Sequence, residues 1–215
     1  MKLCVPIKKS KVRDVIFQLK KAEKEADIVE IWLDEISDLN ESSEHKIDLI
    51  SKKPLLYKVS KQSIAKIEHL LKTIKNIEYL DLDISIEKNI IKKIKEKFPQ
   101  IQLIISHHDF KKTPTQKELI SLVEIMFTKG ADIAKIATKA NKIEDSLNML
   151  SLLSQITKNG QKSICLCMGK LGRLTRITGH LLGNYLMYAP MEEADQTASG
   201  QIPVKELKRI LKFSN

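Results

Sequence analysis

Arginine is scarce in this chain. Arg13, Arg173, Arg176 and Arg209 are the whole complement among 37 basic residues, so the formal net charge of +10 rests on lysine. A nucleic-acid reader gathers such charge into a patch or stripe. Here lysines occur singly or in pairs and alternate with glutamate, as in Lys20-Lys21-Ala22-Glu23-Lys24-Glu25, the pattern of a solvated helix face. A non-catalytic, basic nucleic-acid-binding protein therefore has only the charge total in its favour, whereas an anionic small substrate is compatible with it. Cysteine is equally sparse. Cys4, Cys165 and Cys167 make no paired framework, and no histidine or second cysteine pair lies near them at zinc-ligand spacing, so no metal site is expected and all three read as reduced core residues. No apolar run approaches the ~20 residues of a membrane span. The opening Met1-Lys2-Leu3-Cys4-Val5-Pro6-Ile7 breaks too early for a signal peptide and reads as a strand, which points to the cytoplasm and away from a membrane partner. Gly169-Lys170 lacks the preceding glycine of a Walker loop, so no nucleotide phosphate site is read there.

What the chain does have is alternation. Leu3 to Ile7 reads as a strand, and Val12, Val15, Ile16, Leu19 and Ala22 mark one buried face of a following helix. Asp27 to Leu33 is a second strand, with a polar segment from Asn40 to Glu44 leading to a short helix through Ile47 and Ile50. Lys53 to Val59 is a third, with Pro54 at its start, where a missing donor is tolerated. Ser63 is a candidate N-cap for a helix carrying Ile64, Ile67, Leu70, Leu71 and Ile74. Tyr79 to Ile84 is the fourth strand, with a helix on Ile90, Ile91, Ile94 and Phe98. Ile101 to Ser106 is the fifth, running into His107-His108. A helix opens at Thr113-Pro114 and stops at Gly130. Ala131 to Ala137 is the sixth strand, followed by a helix with Leu147, Leu150 and Leu153 that ends at Asn159-Gly160. Ser163 to Met168 is the seventh strand, Leu171 to Tyr185 a helix, Leu186 to Ala189 a weak eighth strand, and a final helix starts at Pro203 after a loop of small and polar residues. Eight strands alternating with eight helices predict a (β/α)8 TIM barrel of the α/β class, with residues 1–215 as one domain.

Two residues of this pattern carry chemistry. Ala131-Asp132-Ile133-Ala134-Lys135-Ile136-Ala137 places a lysine at the centre of a strand that is apolar on both faces. Desolvation favours the neutral amine, so the expectation is a lowered pKa and a nucleophile able to form a Schiff base with a carbonyl. The plainer alternative is a lysine whose stem packs and whose ammonium snorkels to water. In a parallel sheet, His108 would stand beside Lys135 at the carboxyl ends of adjacent strands, where α/β proteins put their sites. Glu30 on the second strand, Arg176 after the seventh and Gln201 after the eighth would converge on the same mouth.

Ser106-His107-His108-Asp109-Phe110, with Thr113-Pro114 beyond it, resembles a segment of the type I 3-dehydroquinate dehydratases. Asp132-Ile133-Ala134-Lys135-Ile136-Ala137 is similar to their Schiff-base strand, Met168 to Arg176 to their substrate-arginine segment, and Thr197-Ala198-Ser199-Gly200-Gln201 to their closing loop. The resemblance implies a dehydration of 3-dehydroquinate in the shikimate pathway that uses no cofactor and no metal. Lys135 would attack the ketone, and His108 would serve as general base and then general acid, a role suited to a side chain titrating near neutrality. Glu30 would orient the histidine, Arg176 would hold the substrate carboxylate, and Gln201 with Thr197 would close over it. The partner is then a small molecule, with a second copy of the chain, as a homodimer, left open.

The chain departs from the family pattern at two arginine positions, occupied here by Trp32 and Ser60. That opens a second reading, a diverged Schiff-base lyase with an altered substrate. Lys58 shares a strand face with Ser60, and the expectation is that its ammonium replaces one lost cation on the substrate.

Adjacent residues on an extended chain point to opposite sides, so only one of the paired histidines can face the lysine. His108→Ala is expected to abolish steady-state turnover of 3-dehydroquinate while His107→Ala retains much of it. Equal losses would show the register to be wrong.

Overall fold

Every strand pairs with its neighbour in parallel. The computed structural model, described for residues 2–60, 67, 69, 71, 72, 74 and 76–212, orders the eight strands as β7-β6-β5-β4-β3-β2-β1-β8. They are β1 (Lys2–Ile7), β2 (Ile28–Trp32), β3 (Leu55–Val59), β4 (Ile77–Asp83), β5 (Gln102–Asp109), β6 (Ile133–Lys139), β7 (Lys162–Met168) and β8 (Leu186–Tyr188). Between and after them run α1 (Val12–Ala22), α2 (Glu41–Ile50), α3 (Lys88–Lys97), α4 (Gln116–Lys129), α5 (Ile143–Lys158), α6 (Arg173–Thr178) and α7 (Val204–Lys212). After β3, residues Ile67, His69, Leu71 and Lys72 are helical. The helix start expected at Ser63, with Ile64 and Leu70, lies outside the described residues, while Ile67, Leu71 and Ile74 are buried as expected.

The sheet all but closes into a barrel, and the seam is made by one backbone hydrogen bond and one side chain. Tyr185 N donates to Ser163 O at 2.9 Å, just ahead of β8. Asn184 Oδ1 accepts from Cys165 N of β7 at 2.9 Å while its Nδ2 donates to Leu186 O of β8 at 3.0 Å. A buried amide thus stands in for ladder bonds that the short eighth strand cannot make.

Alternation along the strands builds two apolar zones. Val29, Ile31, Leu103, Ile105, Ala134, Ile136, Cys165 and Cys167 face the helices and join the larger core. Cys4, Ile28, Leu56, Tyr79, Ile104, Ile133, Ile164 and Leu186 point inward and plug the barrel. Two residues further along five of these inward-facing series, on β2 to β6, the lining turns polar: Glu30, Lys58, Asp81, Ser106 and Lys135. The plug leaves the polar layer only the carboxyl ends of the strands to open through. The three cysteines are buried and free, as expected. No helix among the described residues is long and apolar enough to cross a membrane.

Four expectations need correcting. The polar Asn40–Glu44 segment is the start of α2, where Asn40 caps the helix by accepting from Ser43 N at 3.0 Å. His107 and His108 lie within β5 and not after it. In α5 the buried set is Asp145, Ser146, Met149, Leu152, Leu153 and Ile156; Leu147 projects from another face and is exposed. The long helix expected from Leu171 to Tyr185 is a six-residue α6 followed by a 3-10 turn, Gly179–Leu182. Gly183, at φ +89°, then takes the left-handed turn that returns the chain to β8.

Asn184→Ala would strand two buried backbone groups at the seam. A loss of about 3 kcal/mol is expected, read as a lower urea midpoint with an unchanged slope. An unchanged midpoint would mean that the seam does not depend on this side chain.

Candidate active site

The polar layer centres on Lys135, which is 4% exposed. Its Nζ donates to Asp81 Oδ2 at 2.6 Å, to Glu30 Oε1 at 3.1 Å and to Tyr188 OH at 3.0 Å, and it lies 4.4 Å from the Tyr188 ring centre. Burial alone would lower the lysine pKa, as expected from the sequence. The charges of Asp81 and then Glu30 outweigh it, and the net shift is upward. That corrects the expectation of a neutral amine: in the free protein Lys135 is an ammonium. Burial pushes the Asp81 carboxyl up, but the charges of Lys135, Lys58 and His108 bring it well below the usual carboxylate range. The Tyr188 phenol is raised, first by burial and then by the charge of Glu30, so it remains a hydrogen-bond donor at neutral pH.

Glu30 is shared among several donors, the Tyr188 phenol included. Its Oε1 takes the lysine, and its Oε2 accepts from Trp32 Nε1 at 2.8 Å. Glu30 thus holds Lys135 and Trp32; the bonded neighbour of the histidine is Lys58, whose Nζ lies 3.0 Å from His108 Nε2. This corrects the expectation that Glu30 orients His108. Burial, then the charges of Lys58 and Lys135, push the His108 pKa down to about 3, so titration near neutrality is corrected too. Phe110 stacks on the imidazole with ring planes 16° apart.

The indole of Trp32 has Lys58 Nζ 4.6 Å and Lys8 Nζ 4.8 Å from its ring centre. Trp32 and Lys58 are register partners on β2 and β3, so their contact follows from the strand pairing itself. Together they line both of two cavities at the barrel mouth. One is lined by all seven side chains singled out from the sequence: Glu30, Lys58, His108, Lys135, Arg176, Thr197 and Gln201. The other is acidic, with Asp34, Asp81 and Asp83 in its wall. Ser60 belongs to this second cavity and donates its N–H to Asp34 Oδ2 at 2.6 Å.

Arg176 sits on the short α6, yet it is 4% exposed, and its Nε and Nη2 are buried without a hydrogen-bond partner. Burial lowers its pKa to about 10, which leaves it charged at neutral pH. An unpartnered buried guanidinium at a cavity wall is a hook for an anion, and its planar fork fits a carboxylate. The closing loop is held from within. Gln201 Oε1 accepts from Thr197 N at 2.7 Å and from Ala198 N at 3.2 Å, and its Nε2 donates to Thr197 Oγ1 at 3.2 Å. Gly200, at φ +81°, packs so closely on Gly169 that a Cβ there would collide with the Gly169 carbonyl. Among the described residues no group of three His, Cys, Asp or Glu side chains is arranged to hold a metal ion.

Two residues of the site went unmarked in the sequence. Asp81 lies inside an apolar strand, and its alternation with Tyr79 and Asp83 is the one local signal that it faces the barrel interior. Tyr188 sits in the weakest strand and carries no such signal.

Fold and buried amine together are those of a (β/α)8 barrel enzyme. Residues 3–215 match the model of the type I 3-dehydroquinase family, and the chain belongs to that family. It is 37% identical over 225 residues to 3-dehydroquinate dehydratase of Methanococcus maripaludis, covering 99% of this chain and 100% of the relative. The crystal structure of 3-dehydroquinate dehydratase from Geobacillus kaustophilus superposes with a TM-score of 0.87 at 22% identity, covering 99% of this chain and 90% of that one, which bears on the fold. That of the type I enzyme from Clostridium difficile, solved with covalently modified comenic acid, has a TM-score of 0.86 at 26% identity, covering 99% and 91%.

Asp81→Asn keeps the shape but removes a counterion from the buried ammonium, so a loss of about 3–5 kcal/mol is expected at neutral pH. The folded-state pKa of Asp81 is depressed. Its stabilisation is therefore present above the unfolded value of about 4 and is lost as pH falls towards the folded one. Urea unfolding of wild type and variant should thus converge in acid. A gap that stayed constant would rule out the charge as its source.

Proposed function

We propose that this chain dehydrates 3-dehydroquinate to 3-dehydroshikimate through an imine on Lys135, as a hydro-lyase of the shikimate pathway. The observation that carries the reading is the Lys135 ammonium held between Asp81 and Glu30 in the family barrel. To attack the ketone, Lys135 gives up a proton, and those two carboxylates are the acceptors in contact with it. Loss of water from the carbinolamine then gives an iminium, which returns a positive charge to the same place. The site that stabilises the ammonium is therefore already arranged for the cationic intermediate, without reorganisation.

The iminium draws electrons from the neighbouring carbon and acidifies its C–H. His108, neutral in the free protein, takes that proton and later delivers it to the departing hydroxyl, which leaves as water. Hydrolysis of the imine releases product and restores the amine. Arg176 supplies the carboxylate hook, and Thr197 with Gln201 forms the loop that covers the substrate. In this reading the enzyme works in the cytoplasm as one domain over residues 1–215, without cofactor or metal, and a homodimer is the assembly to be tested.

The altered-substrate reading has one observation behind it: Trp32 satisfies Glu30, and Ser60 faces the acidic cavity, so neither offers a cation to substrate hydroxyls. A nucleic-acid role still has only the charge total behind it, and some surface lysines are paired with carboxylates, as in Lys8–Glu35 and Lys208–Glu25.

Borohydride reduction in the presence of 3-dehydroquinate should add the ligand mass to the peptide carrying Lys135, alongside the ultraviolet absorbance of the conjugated product. No adduct, or an adduct on another lysine, would sink the mechanism. Adduct and turnover appearing only after Trp32→Arg with Ser60→Arg would assign the chain a different native substrate.

A further inference from the structure

We propose that Lys58 is a positioning residue for His108, its Nζ 3.0 Å from Nε2 and braced on the face of Trp32 fixing the orientation of the imidazole in the cavity. The inference rests on the reading of His108 as the group that moves the proton. It differs from the role in substrate binding that the sequence suggested for Lys58, and the experiment below separates the two.

An ammonium has donors and no acceptor. Burial lowers the Lys58 pKa and the charge of Asp81 opposes that; while Lys58 is charged, Nε2 accepts from it, the ring proton sits on Nδ1, and the single Nε2 lone pair passes from Lys58 to the carbon acid when substrate enters. Lys58 is fixed for this task by three strands: Trp32 is its register partner on β2, Asp81 its partner on β4, and His108 reaches it from β5. The charged and titratable groups facing the pair are Glu30 from β2, Asp81 and Asp83 from β4, His107 from β5 and Lys135 from β6. After burial, the Lys58 charge is the largest influence holding His108 unprotonated.

Two chemical consequences follow. The ring stays unprotonated far into acid, because adding a proton beside Lys58 and Lys135 is disfavoured. Once the ring has taken a proton from the carbon acid, the imidazolium is a strong acid and returns that proton readily to the leaving hydroxyl. A lysine bound to substrate would instead show itself in KM.

The experiment compares wild type, Lys58→Met and Lys58→Arg by the pH dependence of kcat and KM, and by NMR titration of the His108 ring in the free proteins. In Lys58→Met the acid limb of kcat should move up by about one pH unit or more, kcat should fall, and KM should change by less than about twofold. The ring of this variant should titrate above about pH 5 while the wild-type ring does not. Lys58→Arg keeps a cationic donor and should hold both profiles near wild type. An unmoved ring titration in Lys58→Met, or a raised KM with kcat unchanged, would overturn the proposal. Wild-type protein that forms no borohydride adduct on Lys135, in a set where Lys58→Met still shifts the ring, would overturn the reading of the reaction and uphold the pairing.

Discussion

The rest of the structure depends on one buried cation. Taking an ammonium out of water costs several kcal/mol even after relaxation, and Lys135 has almost no solvent contact. Two carboxylates meet that cost, one at 2.6 Å and one at 3.1 Å, with a phenol oxygen completing the shell. These partners come from β4, β2 and β8, strands remote in sequence from β6 and from one another. Barrel closure brings them within reach. The apolar plug beneath them, from Ile28, Leu56, Ile104 and Ile133, keeps water from entering by the amino-terminal ends of the strands. Closure, plug and triple contact are thus one design, in which the fold is the means of holding a charge where water would otherwise hold it.

This also explains which parts of the site could be read from the sequence. Lys135 announced itself because Ile133, Ala134, Ile136 and Ala137 are apolar, so the strand is buried whatever its neighbours. His108 followed from the Ser106 to Phe110 segment, and Arg176, Thr197 and Gln201 from segments of the family that resemble these. All of them line one cavity. The direction of the Lys135 shift was misread because a single strand displays desolvation and conceals Asp81, which pairs with Ile104 two strands away. Electrostatic sign is a property of the closed barrel, and no local window contains it. The same holds for Glu30, whose second oxygen is taken by Trp32, only two residues on but turned back over the same interior face. Helix errors had simpler causes. Leu147 looked buried because leucines recur at 147, 150 and 153, yet Met149, Leu152 and Ile156 define the face that packs. The segment after α6 looked helical from its apolar content, and Gly179 and Gly183 redirect it.

The two absent arginines are answered by a rearrangement of charge and not by simple loss. At the position two beyond Glu30, an indole N–H satisfies the carboxylate without adding a cation, and the ring then serves as a platform for Lys58 and Lys8. Lys58 leans towards His108 and away from Ser60, which bonds to Asp34 in the neighbouring cavity.

The charge around the reacting centre follows from these positions. With Lys58 charged, the ammonium groups of Lys58 and Lys135 and the guanidinium of Arg176 face the carboxylates of Asp81 and Glu30, three cations against two anions, beside a neutral His108. One positive charge is left over, and the buried nitrogens without partners place it at Arg176. A ligand bearing one carboxylate neutralises the site on entry, so its desolvation is offset where the guanidinium has no other partner to give up. Conversion of ammonium to iminium then leaves the total unchanged. In the proposed reaction, therefore, the charges that would stabilise the intermediate are already in place around Lys135 before substrate binds.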